Sequence, residues 1–242
     1  MASHLTAIGI YSEEELITFM ETVWAGDSCR PYPANEPTSF CLPAARAELW
    51  LHPAASCFIP TLSTGHTVNV RPEAWLPDDD NHCPFCSLLA VDVLSPDGHL
   101  LYPQLLAVGN CEKAQQEITL GKTVALPITA FVEGGEVWPD LAAFQKAMSA
   151  EDQGPTIGPG SFFPEGPYAV LEARQAFAPL ATFCGVVVAT ELEANPVTGH
   201  RFRLASVECG ETIFQCVMDF REFPELTIGN IVYVSSWLSV AS

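Results

Sequence analysis

The residue pattern predicts a mostly-β (α+β) protein of two tandem, related small-barrel modules, with an N-terminal helix and a short linker helix. Three observations carry that expectation. The 242-residue chain scatters its Pro 20 and Gly 16 along its whole length, the punctuation of many short strands rather than a few long helices. Hydrophobic residues at 48% against charged residues at 16% supply a real core and too little charge for a disordered chain. Blocks of the second half also repeat, in order, blocks of the first, which is the signature of a duplicated unit.

In chain order, residues 12–26 read as the N-terminal helix. Ser12 and Glu15 form a capping box, Leu16, Phe19, Met20, Val23 and Trp24 follow at helical spacing, and Gly26 stops the run. Residues 27–55 carry turn formers (Pro31, Pro33, Asn35, Pro37 and Pro43) before the alternating Ala47-Glu48-Leu49-Trp50-Leu51, a strand. The repeat then sets the boundaries. Phe85-Cys86-Ser87-Leu88-Leu89-Ala90-Val91 matches Phe183-Cys184-Gly185-Val186-Val187-Val188-Ala189; Pro96-Asp97-Gly98-His99 answers Pro196 to His200; Ile118 to Val124 answers Leu226 to Val232. The expected layout is therefore an N-terminal helix and strand region over 1–55, module one over 56–132, a linker over 133–160 and module two over 161–242. The linker holds a short helix with Pro139 at its first turn and Leu141, Phe144 and Met148 on one face.

In module two, strands are expected at Thr182–Leu192, His200–Val207, Thr212–Met218 and Ile231–Val240, with turns at Asn195-Pro196, Gly199 and Cys209-Gly210. Residues 182–240, and the repeated 85–132, resemble the first four strands of an OB-fold barrel, in which a Gly-x-x-Val strand follows the connection after strand three. The sequence stops where a fifth strand would begin, so closure should borrow an upstream strand, with Tyr168–Ala173 the candidate.

Charge narrows the function. Lys+Arg 10 against Asp+Glu 29 leaves −19, and no segment turns basic, which argues against binding a phosphate backbone. The OB-like resemblance implies an aromatic stacking platform at Tyr233, Trp237, Phe202 and Phe183. With nine acids against four bases in 161–242, those aromatics are expected to pack in the core or meet a protein. Met1–Glu15 has neither a basic n-region nor an apolar core, and the longest apolar run, Ala176–Thr190, contains Pro179 and falls short of a membrane span. A cytoplasmic protein with no membrane contact is expected. Its nine cysteines are odd in number and irregular in spacing, as suits reduced, buried thiols.

One segment invites chemistry. His82-Cys83-Pro84-Phe85-Cys86 could make Cys83 a low-pKa nucleophile, Cys86 its resolving thiol and His82 the tuning base. Asp80, His82, Cys83 and Cys86 could instead hold zinc, completed by Cys111, His66 or His99. Against redox use, Leu88–Leu94 reads as a strand where a helix is needed, and Cys86 aligns with Cys184, whose paired position is Ala181. His99 and His200 each follow a Gly at matched turns and read as hairpin-tip residues. Gly154 to Gly160 lacks the Lys-Ser/Thr of a phosphate loop and reads as a linker. The expectation is a non-enzymatic binding protein without a resident cofactor, whose partner is another protein, a basic one fitting best. Its acidic β surface would include Asp78, Asp79, Asp80, Tyr233 and Trp237; a thiol-disulfide or zinc protein built on 82–86 is the alternative.

Overall fold

The computed structural model describes residues 3–25, 29–30, 38–41, 47–52, 57–62, 66–76, 88–109, 111–150, 157–165 and 178–240. The chain opens with α1 (Ser3–Thr6) and α2 (Glu13–Ala25), followed by a small antiparallel sheet in the order β1 (Cys29–Arg30), β2 (Thr38–Cys41), β3 (Ala47–His52) and β4 (Cys57–Leu62). The antiparallel group β5 (Val68–Leu76), β6 (Leu88–Leu94) and β7 (Leu100–Val108) comes next, then α3 (Cys111–Glu117), β8 (Val124–Leu126) and the long β9 (Ile128–Trp138). After α4 (Leu141–Ala150) come β10 (Phe162–Pro164), β11 (Leu180–Ala194), β12 (Arg201–Cys209), β13 (Thr212–Asp219) and β14 (Ile231–Val240). The protein is mostly β, and among the described residues no helix is long and apolar enough to cross a membrane.

Five strands close on themselves. β11, β12 and β13 form an antiparallel meander, β13 pairs in parallel with β9, β9 pairs antiparallel with β14, and β14 returns antiparallel to β11. The interior is apolar: Phe183, Val187, Ala205, Val207, Phe214, Cys216, Met218, Ala130, Val132, Val232 and Val234 belong to one buried cluster. Closure leaves no free hydrogen-bonding edge along the paired lengths.

The closing strand does come from upstream, but it is Ile128–Trp138; the expected Tyr168–Ala173 lies outside the described residues. The sequence hid it because Gly134-Gly135 breaks the alternation. That dipeptide sits where the ladder to β14 shifts register, between Ser235 and Ser236. A Cβ on Gly135 would collide with the Tyr233 carbonyl oxygen and reach 2.9 Å from Val234 Cα, so close backbone approach demands glycine there.

The two halves of the chain share their hairpins and then part. β6–β7 and β11–β12 are matching hairpins, but the next segment is helix α3 in the first half and strand β13 in the second. β8 pairs with β5, whereas its sequence counterpart β14 pairs with β11 and β9. The first half joins the barrel through β7, which meets the end of β14 in parallel at Ala107 and Val108.

The N-terminal segment lies across the outer face of the barrel. Leu5, Ala7, Ile8, Ile10 and Phe19 bury themselves against Phe202, Leu204, Val217 and Phe131. The α2 cap is nearly the predicted box: Ser12 Oγ accepts the Glu15 amide at 3.1 Å, while the Glu15 carboxylate reaches one residue further back to the Tyr11 amide at 2.6 Å. The linker helix α4 begins after Pro139, capped by Asp140 Oδ1 on the Ala143 amide at 2.8 Å, and buries Phe144 beside Trp138.

Candidate functional site

β11 is long enough to do two jobs. From Leu180 to Val186 it is held by β14, and that pairing ends at Val186–Ile231. A bulge between Val187 and Ala189 then bends the strand, which continues to Ala194 paired with β12 alone. Gly229 and Asn230 bond Val187, at 2.8 and 2.9 Å, and beyond them no described strand pairs with residues 188–194 on the side away from β12. Val188 and Leu192 are exposed there, as is Glu191, with Glu193 half-buried. Cross-strand register puts Glu191 opposite Leu204 and Glu193 opposite Phe202, on one face, and Leu192 opposite Arg203, on the other.

Beside this edge, an open groove of about 400 Å³ lies between the end of β9 and the loop from β13 to β14; Val137, Pro139, Glu222, Pro224, Glu225 and Thr227 are among its lining residues. The loop is firmly seated. Phe223 and Leu226 are buried in the core, Arg203 Nε donates to the Phe223 carbonyl at 2.9 Å, and Asn230 donates to the Pro139 carbonyl at 3.2 Å. Glu191, Glu193, Glu222 and Glu225 form no ion pair among the described residues. Four carboxylates without an ion pair among the described residues, held on a strand end and a pinned loop, outnumber the unpaired Arg201 and Arg203 beside them and weight this end of the barrel toward negative charge.

A second cluster fastens the N-terminal segment. Tyr11 Oη donates to Asp219 Oδ1 at 2.8 Å, Arg221 pairs with the same carboxylate at 3.0 Å, and its guanidinium lies 3.2 Å over the Tyr11 ring. Glu15 Oε1 meets His200 Nε2 at 2.9 Å, and Asn195 and Thr198 donate to the Ile8 and Gly9 carbonyls at 2.9 and 2.8 Å. Burial, reinforced by Asp219, pushes the Tyr11 phenol up to about 12. The Tyr11 amide, with His200 adding to it, holds the Glu15 carboxyl below its usual range. These groups bond one another, and none of them lines the groove. They act as a clasp: ionisable side chains bonded to one another hold a segment to a surface without opening to a ligand.

Cys184, Cys209 and Cys216 are free and buried. Burial raises all three thiols, Cys184 to about 11 and Cys209 to about 12, which removes the thiolate a nucleophile needs. Asp78, Asp79, Asp80, His82, Cys83 and Cys86 lie outside the described residues. Among the described residues no group of three or more His, Cys, Asp or Glu is arranged to hold a metal ion. Tyr233 is half-buried against the Phe144, Cys184 and Ile231 cluster, and Trp237 is half-buried with His4 stacked on it at 4.7 Å and Phe131 edge-on at 6.5 Å. Phe202 and Phe183 are fully buried, Phe183 inside the barrel and Phe202 under the N-terminal segment.

Sequence reasoning passed over the four surface glutamates. The available signal was Glu191-Leu192-Glu193, an acid-apolar-acid alternation late in a strand longer than its partners. The clasp had none, because Tyr11 and Asp219 are 208 residues apart. Compared with known protein families, with curated proteins and with solved structures, the chain finds no significant match.

Proposed function

We propose that this chain is a non-enzymatic binding protein of the cytoplasm, whose partner is another, basic protein engaged through the acidic β surface of an OB-like barrel. The observation that carries this reading is the set of four carboxylates, Glu191, Glu193, Glu222 and Glu225, that form no ion pair among the described residues, on the projecting end of β11 and along the adjoining groove. The five-stranded ring built on a three-strand meander supports the OB-like description. The acidity speaks for a protein partner over a nucleic acid, since carboxylates at these positions repel phosphates and steer cations. Arg201, Arg203 and Arg221 offset it only in part. Arg221 is neutralised by Asp219, while Arg201 and Arg203, which lie over the Phe220 ring, keep their charge and leave the four carboxylates in excess.

The test is affinity capture from lysate of the source cells with the wild type and with a Glu191→Gln, Glu193→Gln, Glu222→Gln, Glu225→Gln variant of unchanged circular dichroism. A basic protein retained by the wild type, released by moderate salt and lost by the variant is the expected result. Retention of the same protein by both, or recovery of a tightly bound small molecule and no protein, would sink the proposal.

A further inference from the structure

The unpaired run of β11 says how a partner would be held. We infer that Val188–Ala194 receives an added β-strand, and that the strand it fits alternates basic with apolar residues. This rests on the acidic-surface reading above and adds its geometry.

An open strand edge presents a row of backbone N–H and C=O groups that a second chain can complete, main-chain bonds giving affinity and alternate side chains giving specificity. The bulge at Val187/Ala189 carries this stretch of β11 out of the ring, where residues 188–194 are supported by β12 on one side and meet no described strand on the other. Exposure marks this edge out from the open edge of β7. There Tyr102 stacks on Phe162 at 3.9 Å and Gln104 reaches the Leu180 carbonyl at 3.4 Å, so other parts of the chain cover it.

The side chains select the occupant. Glu191 and Glu193 share one face and Leu192 lies on the other. A paired strand places its residues directly opposite these, so lysine or arginine at alternate positions would meet the two carboxylates and an apolar residue between them would cover Leu192. A second copy of this chain fits badly. Antiparallel self-pairing about Leu192 sets Glu191 of each copy against Glu193 of the other, and like charges directly opposite destabilise a ladder. The same two carboxylates thus repel a sister molecule and recruit a basic strand.

The probes are a synthetic peptide of alternating lysine and valine, about seven residues long to match the run, and the same peptide N-methylated at alternate residues along its pairing edge. Hydrogen exchange of the full-length protein's amides is followed with each. The expected result is that the plain peptide slows exchange within 188–194 and the N-methylated one does not. The expected companion is that Glu191→Lys/Glu193→Lys weakens the lysine peptide about tenfold and gains affinity for a glutamate-valine peptide. Equal binding of plain and N-methylated peptides overturns strand addition while leaving the acidic-surface reading standing. No protection at 188–194 by the plain peptide also overturns it, and the capture experiment above judges the broader reading separately. Concentration-dependent protection of this run without peptide overturns it in favour of self-pairing.

Discussion

The hairpins β6–β7 and β11–β12 begin from nearly the same chemistry. Both turn at a Pro-containing loop with glycine in the left-handed region, Gly98 at φ 84° and Gly199 at φ 71°, a conformation that other residues rarely adopt. Both bond the residue opening the turn to the histidine closing it: Ser95 to His99 and Asn195 to His200, each at 2.8 Å. Their surroundings differ. Both opening residues are buried, but residues 96–100 of the first tip stand in solvent, while Asn195 and Thr198 of the second bond the N-terminal segment. One side chain accounts for much of the contrast. Ser95 Oγ accepts the His99 amide, a bond that stays within its own turn, whereas Asn195 accepts the Val197 and Thr198 amides with Oδ1 and also donates through Nδ2 to the Ile8 carbonyl of the N-terminal segment. Local turn chemistry makes a hairpin; a side chain that reaches beyond its own turn decides what the hairpin is joined to.

The largest way to break the contrast is to undo the closure that only the second hairpin enjoys. Gly135→Ala drives a methyl into the Tyr233 carbonyl on the neighbouring strand, and strands held in a ring cannot separate to admit it. A loss on the order of 3 kcal/mol is expected from urea unfolding. The neighbouring Gly134, where an added Cβ meets nothing within 4 Å, is the control: Gly134→Ala should shift stability by no more than about 0.5 kcal/mol. Equal effects would mean that the ladder between β9 and β14 is looser than its register implies.

The same residues explain what the sequence could and could not disclose. Helix α2 and the hairpin strands were legible because capping residues, turn residues and apolar periodicity act over a few positions. The strand limits expected between Thr182 and Val240 came within a few residues at each end for that reason. Closure was not legible, since pairing β9 with β13 and β14 is decided by contacts across about a hundred residues and its marker, Gly134-Gly135, reads locally as a break. The departure of α3 from the expected repeat was present in composition: residues 111–117, Cys-Glu-Lys-Ala-Gln-Gln-Glu, contain good helix formers and no β-branched residue, while residues 212–219 are rich in them. Matching blocks by order concealed that. The acidic edge went unseen because a glutamate's role depends on whether a strand lies beside it.

A smaller effect sharpens the contrast at the tips themselves. Asn195→Ala strands the Ile8 carbonyl and the Val197 and Thr198 amides, so a loss of about 2 kcal/mol is expected, against about 0.5–1 kcal/mol for Ser95→Ala, which loses one bond to the amide of the exposed His99. Hydrogen exchange should show the α1 amides losing protection in the first variant and not in the second. A similar cost at both sites would remove the argument that the asparagine ties hairpin to segment.

The finest test concerns the clasp next to that asparagine and reads out in pH. The Tyr11 phenol is raised from 10.0 to about 12 in the folded protein, chiefly because burial and the Asp219 carboxylate disfavour a phenolate. A raised pKa stabilises the fold fully below the unfolded value and loses that contribution as pH climbs toward the folded one, because above pH 10 the unfolded chain releases a proton that the native state retains. Tyr11→Phe keeps the ring under Arg221 and deletes only the bond to Asp219. The variant should be less stable by about 1 kcal/mol at neutral pH, and the gap to the wild type should narrow as pH rises from 10 to about 12. Urea midpoints for both proteins across that window measure it. A gap that stays constant would show Tyr11 ionising alike in folded and unfolded chains, and the clasp would then rest on Glu15, His200 and the asparagine without the tyrosine.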